Sequence, residues 1–182
     1  MAYESIRGRQ SFVSASGRAW ENYVRRFLNS SFIKAKSDLV VLDGRTIGRT
    51  LWNKLAIKVN GGQSVEGDID LVVISKRRPS DPLAVISCKT SLHGRFSETL
   101  FYAVIWKLGI KNFVVVFATP DKGRQAQEGK WESEWGSDSK PTKDRQLAER
   151  FLDGVYVKNN RTLFGGKIKP LDKLPKDLMA WL

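Results

Sequence analysis

The stretch EGDIDLVVISKRRPSDPLAVISCKTSLHGRFSE, residues 66–98, constrains the fold of this chain more than any other. Two β-branched apolar runs, LVVIS (71–75) and LAVIS (83–87), flank the polar, proline-bearing KRRPSDP (76–82). Runs this short, bounded by turn residues, read as buried strands of an antiparallel hairpin. Centring the hairpin on that loop pairs residues whose numbers sum to about 159, which sets Asp70 opposite Lys89. Side chains alternate along a strand, so Glu66, Asp68 and Asp70 share one face, and Ser87 and Lys89 share a face on the partner. One end of the hairpin thus collects carboxylates and an ammonium.

A chain of 182 residues with 41% hydrophobic content is one domain with a real core, residues 1–182 together. No run approaches the roughly 18 apolar residues of a membrane span. The opening MAYESIRGRQSF carries no apolar leader, so a cytoplasmic address without a membrane partner is expected. The single Cys88 excludes an internal disulfide and a cysteine zinc site, and the single His93 excludes a histidine-rich metal centre. Net charge is +12, and residues 1–60 hold 11 basic against 4 acidic side chains. Such a surface suits a polyanion, because neutralising phosphates releases counterions; the alternative is a basic surface kept for solubility.

Along the chain, residues 1–14 read as a flexible arm with Arg7 and Arg9 available for phosphates. Trp20, Tyr23, Val24, Phe27 and Leu28 then recur at helical spacing, predicting a helix over 17–29. Its one acid, Glu21, either pairs with Arg25 at i+4 or serves an active site. LVVL (39–42) reads as a strand, Asp43-Gly44 as a turn, 46–56 as a helix with Leu51, Trp52 and Leu55 inward, and Ile57–Val59 as a strand. After the hairpin, Leu100, Phe101, Val104, Ile105 and Leu108 predict the apolar face of a helix closed by Gly109, and NFVVVFA (112–118) a buried strand. The block 120–142 reads as a surface loop or a mobile flap, with Trp131 and Trp135 available for base stacking. Residues 143–153 read as a helix, VYV (155–157) and TLF (162–164) as short strands, and LDKLPKDLMAWL as a terminal helix.

A carboxylate across a hairpin from a lysine suits phosphodiester hydrolysis: oxygen ligands hold Mg²⁺, and the ammonium orients or helps deprotonate a water. The same pair is also common as plain surface stabilisation. The larger pattern is more specific. GDIDLVV, AVISCKTS and SGRAWENYVRRFL resemble the acid-led strand, the lysine-ended strand and the glutamate-bearing helix of the PD-(D/E)XK nuclease superfamily, over roughly residues 15–118. Ile69 stands where the motif's proline would be, and Ser87 where its second acid would be. That serine, with CKTSLHGRFSETLF, is similar to type II restriction endonucleases of the CCGG-recognising type, and to the small catalytic subunits of heterodimeric type IIS enzymes.

The resemblance implies an α/β fold with a restriction-endonuclease-like αβββαβ core, a central mixed sheet flanked by helices. Residues 119–182 lie outside that core, as a flap loop, helices and short strands. It implies a Mg²⁺-dependent endonuclease cutting double-stranded DNA and leaving 5′-phosphates. Asp70 would bridge the metal, Lys89 activate water, Ser87 fill the missing acid's place, Glu98 of the following helix be the second acid, and Glu21 act behind them. If Glu98 is not that acid, Asp68, Glu66 and Glu21 are the alternatives. The Cys88 carbonyl would touch the metal, while Ser91, His93 and Arg95 after the lysine would read bases; Arg95 could equally pair with Glu98 at i+3. Cutting both strands calls for a homodimer or a larger site-recognising subunit. A structure-selective repair or junction-resolving nuclease and a non-catalytic nucleic-acid-binding module are the other readings.

Overall fold

The computed structural model describes residues 2–182 apart from 60, 61, 66, 68, 93, 94, 110–112 and 126–129, and apart from the side chains of 2–14 and 125. His93, Glu66 and Asp68 therefore lie outside the described residues, as do the side chains of Arg7 and Arg9. The backbone of 2–14 is not an arm: helix α1 runs unbroken over Ala2–Lys34.

A six-stranded mixed sheet in the order β1-β4-β5-β6-β9-β10 forms the middle layer. Strands β1 (Leu39–Asp43), β4 (Leu71–Ser75) and β5 (Ala84–Cys88) form an antiparallel meander. Helix α3 (Phe96–Leu108) then crosses over to β6 (Val114–Thr119), which lies parallel to β5. This is the expected αβββαβ order. Parallel strands β9 (Gly154–Val157) and β10 (Ile168–Pro170) extend the sheet. Between β1 and β4 the chain adds helix α2 (Arg49–Leu55) and a short ladder, β2 (Ile57–Lys58) with β3 (Ser64–Val65).

Alternation along the buried strands assigns the two faces. Val72, Ile74, Val85, Val115, Phe117 and Val155 pack under α2, α3 and α4 (Lys143–Phe151). Leu71, Val73, Ile86, Cys88, Val116 and Tyr156 pack under α1 and α5 (Leu174–Trp181). Both faces are covered, which is why the central strands read as continuous apolar runs.

Several expectations change. Leu71 pairs with Ile86, so the hairpin is two residues out of the symmetric register and Ser87, not Lys89, is next in line to Asp70. A slip of two preserves side-chain parity, so Asp70, Ser87 and Lys89 still share a face. Helix α3 is rotated from the predicted face. It buries Phe96, Thr99, Leu100, Ala103 and Trp106, while Phe101 is 57% exposed and Leu108 is exposed as well. Trp135 is no stacking residue: it is fully buried, its ring edge-on to Phe96 and Phe117 at 5.3 and 5.9 Å. Trp131 belongs to a small hairpin of β7 (Arg124–Gln125) and β8 (Trp131–Glu132). TLF (162–164) forms no strand, and β10 falls at Ile168–Pro170 instead.

Candidate active site

The strand ladder between β4 and β5 stops at Leu71–Ile86, and the carboxylate of Asp70 takes over from it. Its Oδ2 accepts the Cys88 backbone N–H at 2.7 Å, the Lys89 ammonium at 3.0 Å and the Ser87 hydroxyl at 3.4 Å. Lys89 is only 6% exposed, so its charge is held where solvent screens it little. The Ser87 hydroxyl also meets the Thr99 hydroxyl of α3 at 2.8 Å. A serine–threonine contact thus fills the space below Asp70. Cys88 points to the opposite face, buried under α1, and meets Asp70 through its amide.

Glu21 reaches this end of the sheet because α1 is fastened on either side of it. The Trp20 indole N–H donates to Ala118 O at the end of β6 (3.0 Å), and Asn29 exchanges two hydrogen bonds with the backbone of Val41 in β1. The Glu21 carboxyl is held above its ordinary range, first by burial and next by the charge of Asp70, with Arg45 and Lys89 opposing. Glu21 and Asp70 therefore share one electrostatic field, and Glu21 pairs with Arg45 (2.9 Å) rather than with Arg25, whose guanidinium donates to Asn22.

Arg45 and Asp43 are site residues that the sequence reading passed over. Gly44 N–H donates to Asp70 O at 2.9 Å, and a Cβ at position 44 would strike the Ile69 carbonyl, so glycine is required where β1 ends against Asp70. That contact carries Asp43 and Arg45 to the cluster. Asp43 accepts from Arg45 Nε and Nη2 at 3.0 and 2.9 Å, and these bonds hold its carboxyl below the usual range. The only advance signal was Asp43-Gly44, legible as a turn and no more.

Glu98 is not brought to the cluster. It is exposed in the first turn of α3, and its neighbour Thr99 takes the inward position that touches Ser87. Arg95 is exposed at the N-cap of α3, and no Arg95–Glu98 ion pair forms. Ser91 is half-buried. The loop after Lys89 is pinned from a direction the sequence did not suggest: Glu134, buried, accepts the Leu92 N–H at 3.3 Å.

Among the described residues no three His, Cys, Asp or Glu side chains converge to cage a metal. The donor set nonetheless suits a hard divalent cation that keeps most of its waters: two carboxylates, that of Glu21 raised by burial and then by Asp70, whose mutual repulsion a cation would relieve.

Comparison with known proteins gives this geometry a setting. The type II restriction enzyme family described as BsaWI restriction endonuclease type 2 matches residues 47–177. MjaVIP of Methanocaldococcus jannaschii, named as a candidate type II restriction enzyme, is 29% identical over 188 residues, covering 92% of this chain and 78% of that protein. The crystal structure of a pre-specific restriction endonuclease BsaWI–DNA complex shares the fold, with a TM-score of 0.58 at 13% identity over 99% of this chain and 68% of that one. A family match spanning most of the chain, on a sheet that ends in Asp70 and Lys89, decides the question: the chain belongs to the BsaWI family of type II restriction endonucleases.

Proposed function

We propose that this restriction endonuclease hydrolyses phosphodiester bonds of double-stranded DNA with Mg²⁺ at the end of β4 and β5. The observation that carries the reading is the Asp70 carboxylate holding the Lys89 ammonium at 3.0 Å within the field of Glu21. Asp70 and Glu21 are the metal-holding carboxylates, Glu21 taking the part that the sequence pattern gave to Glu98. A bound Mg²⁺ would supply acidified water and charge neutralisation at the phosphate.

The chain's own residues do the rest. Lys89, fixed by Asp70, orients the attacking water and exchanges a proton with it. Ser87 and Thr99 hold Asp70 from below, and the Cys88 amide fixes the carboxylate plane. The DNA complex of the structural neighbour and the cationic balance of the chain support DNA as the partner. Ser91 and Arg95 follow Lys89 in the chain and are assigned the reading of base edges, and His93, Arg7 and Arg9 keep the DNA-contacting roles the sequence suggests. Two catalytic centres are needed to cut both strands, so the working unit is a homodimer or includes a larger subunit. Residues 1–182 act as one nuclease domain in the cytoplasm, and no helix among the described residues is long and apolar enough to cross a membrane.

The test is plasmid cleavage with Mg²⁺ by the pure protein, alone and with any adjacent large subunit. Asp70→Ala and Lys89→Ala should each lose at least about 100-fold in rate, as expected for general acid–base or metal-site residues. Glu21→Gln should lose comparably and Glu98→Ala little. Equal cleavage by wild type and the Asp70 and Lys89 variants overturns the assignment, whereas loss with Glu98→Ala but not Glu21→Gln returns the second acid to α3.

A further inference from the structure

Two cavities adjoin on the side of the molecule built by residues 119–166, outside the resemblance on which the catalytic centre was first read. One, of about 470 Å³, opens beside Leu92, Phe96 and Ser97, directly after the catalytic strand. The other, of about 540 Å³, runs on beneath the β7–β8 hairpin. They share Arg124, Thr142 and Lys143 and so form one cleft leading away from Lys89.

The charge is lopsided in the larger cavity and balanced in the smaller, where Glu134 and Asp144 face Arg124 and Lys143. Arg124, Lys140, Lys143 and Arg161 line the larger cavity against one acid, Glu132, which pairs with Arg124 at 3.2 Å. Lys140, Lys143 and Arg161 are exposed and make no ion pair among the described residues. In the larger cavity four cations face the single acid Glu132, and an anion seated among them offsets their mutual repulsion. Helix α4 starts at the same place: Thr142 caps it, accepting the Arg145 N–H at 3.3 Å, so the positive end of the helix dipole faces the cleft. Trp131 adds a flat aromatic wall. Its indole N–H donates to Lys122 O, and a Cβ on Gly123 would strike its ring, so the Nε1 edge is set against the backbone of residues 122–123.

Cations, a helix N-terminus and a fixed indole together describe a nucleic-acid strand, not a small metabolite. The cleft is also wired to the catalytic loop: the Thr142 hydroxyl donates to Glu134 O, and Glu134 holds Leu92. We propose that this cleft is a second DNA-contacting surface, holding the phosphate backbone of the strand that flanks the bond cut at Asp70 and Lys89, with Trp131 stacking on an exposed base or sugar. The proposal rests on the nuclease reading above and assigns a task to the C-terminal third of the chain.

The test is duplex binding with Ca²⁺ in place of Mg²⁺, measured from 50 to 200 mM salt. Each lost phosphate contact lowers the log–log salt slope by about 0.9. The double variant Lys140→Ala/Arg161→Ala should therefore bind about 10–100-fold more weakly near 0.1 M salt, on any sequence, with the slope reduced by about two. Trp131→Ala should weaken binding about tenfold and leave the slope unchanged. Lys173→Ala/Lys176→Ala, at the N-cap and in the first turn of α5, likewise exposed and not lining the cleft, controls for net charge. A slope unaltered by Lys140→Ala/Arg161→Ala, or lowered equally by the Lys173/Lys176 pair, overturns the proposal while leaving wild-type cleavage and its loss in Asp70→Ala intact. If wild type neither binds nor cleaves duplex DNA, the nuclease reading fails first and takes the cleft with it. Melting curves of each variant confirm that folding is retained.

Discussion

Replacing Asp121 with alanine should both loosen the β7–β8 hairpin and release the loop behind Lys89. Asp121 is fully buried at the exit of β6, in a left-handed backbone conformation with φ +47°. Its Oδ1 accepts the N–H groups of Gly123 (3.1 Å) and Glu134 (3.0 Å), and its Oδ2 accepts the hydroxyls of Ser133 (2.6 Å) and Thr162 (2.5 Å). Alanine leaves four donors without that acceptor. The two hydroxyls can turn elsewhere and the two amides cannot, so at about 1–3 kcal/mol per stranded buried donor the loss is about 2–6 kcal/mol. The positive φ adds up to about 1 kcal/mol, since a left-handed conformation suits Asp or Asn better than Ala. For a domain of this size each kcal/mol moves Tm by about 2–4 °C, so a total of about 2–7 kcal/mol should lower Tm by about 4–28 °C. Asp121→Asn keeps one acceptor and offers an amide to hydroxyls that can reverse their roles, and should lose less than half as much. Thermal and urea melts measure the stability, and hydrogen exchange of the peptide containing Leu92 reads the coupled loop, which should exchange faster in the alanine variant. A Tm drop under about 2 °C, or equal drops for Ala and Asn, would refute this account of the network.

Other consequences can be measured directly. Burial and Asp70 raise the Glu21 carboxyl above its ordinary 4.5, so the stability that its neutral form provides is complete below that value and is lost as pH rises through the raised one. Glu21→Gln in EDTA should thus match wild type in urea melts below pH 4.5 and exceed it at neutral pH, the reverse of its effect on cleavage. Trp135→Ala, emptying a site packed by Phe96 and Phe117, should cost about 3–5 kcal/mol, whereas Trp131→Ala should leave Tm within about 2 °C. Arg145 is buried against Asp138, Glu149, Leu163 O and Gly165 O; Arg145→Ala should cost about 3 kcal/mol and Arg145→Lys should not restore it, because one ammonium cannot replace a planar fork reaching two carbonyls.

The pairing of Asp70 with Lys89 was legible because period-two alternation tolerates error in even steps. The turn misplaced the register by two residues, yet Asp70 and Lys89 stayed on one face and the long lysine spanned the offset. Helical phase is less forgiving. Taking Phe101 and Leu108 as inward rotated α3 by about one position and hid Thr99, while Glu98 was singled out as the one acid of that helix and is exposed there. Arg45 was illegible for another reason: it reaches Glu21 through the close approach of Gly44 to Ile69, a backbone packing event with no periodic signature. Polar neighbours hid the burial of Trp135, a turn residue that the Asp121 network and the rings of Phe96 and Phe117 enclose.

The hairpin also has an opposite end. Ser75, at the far end of β4, turns back to bridge Arg78, and the exposed residues 76–80 lie about 17 Å of strand away from Asp70. Because the Asp70 carboxylate is set by the Cys88 amide rather than by that turn, the chain there is a grafting point. A foreign DNA-targeting module spliced between Arg77 and Ser80 would add an address to the scissors while leaving the blades in register.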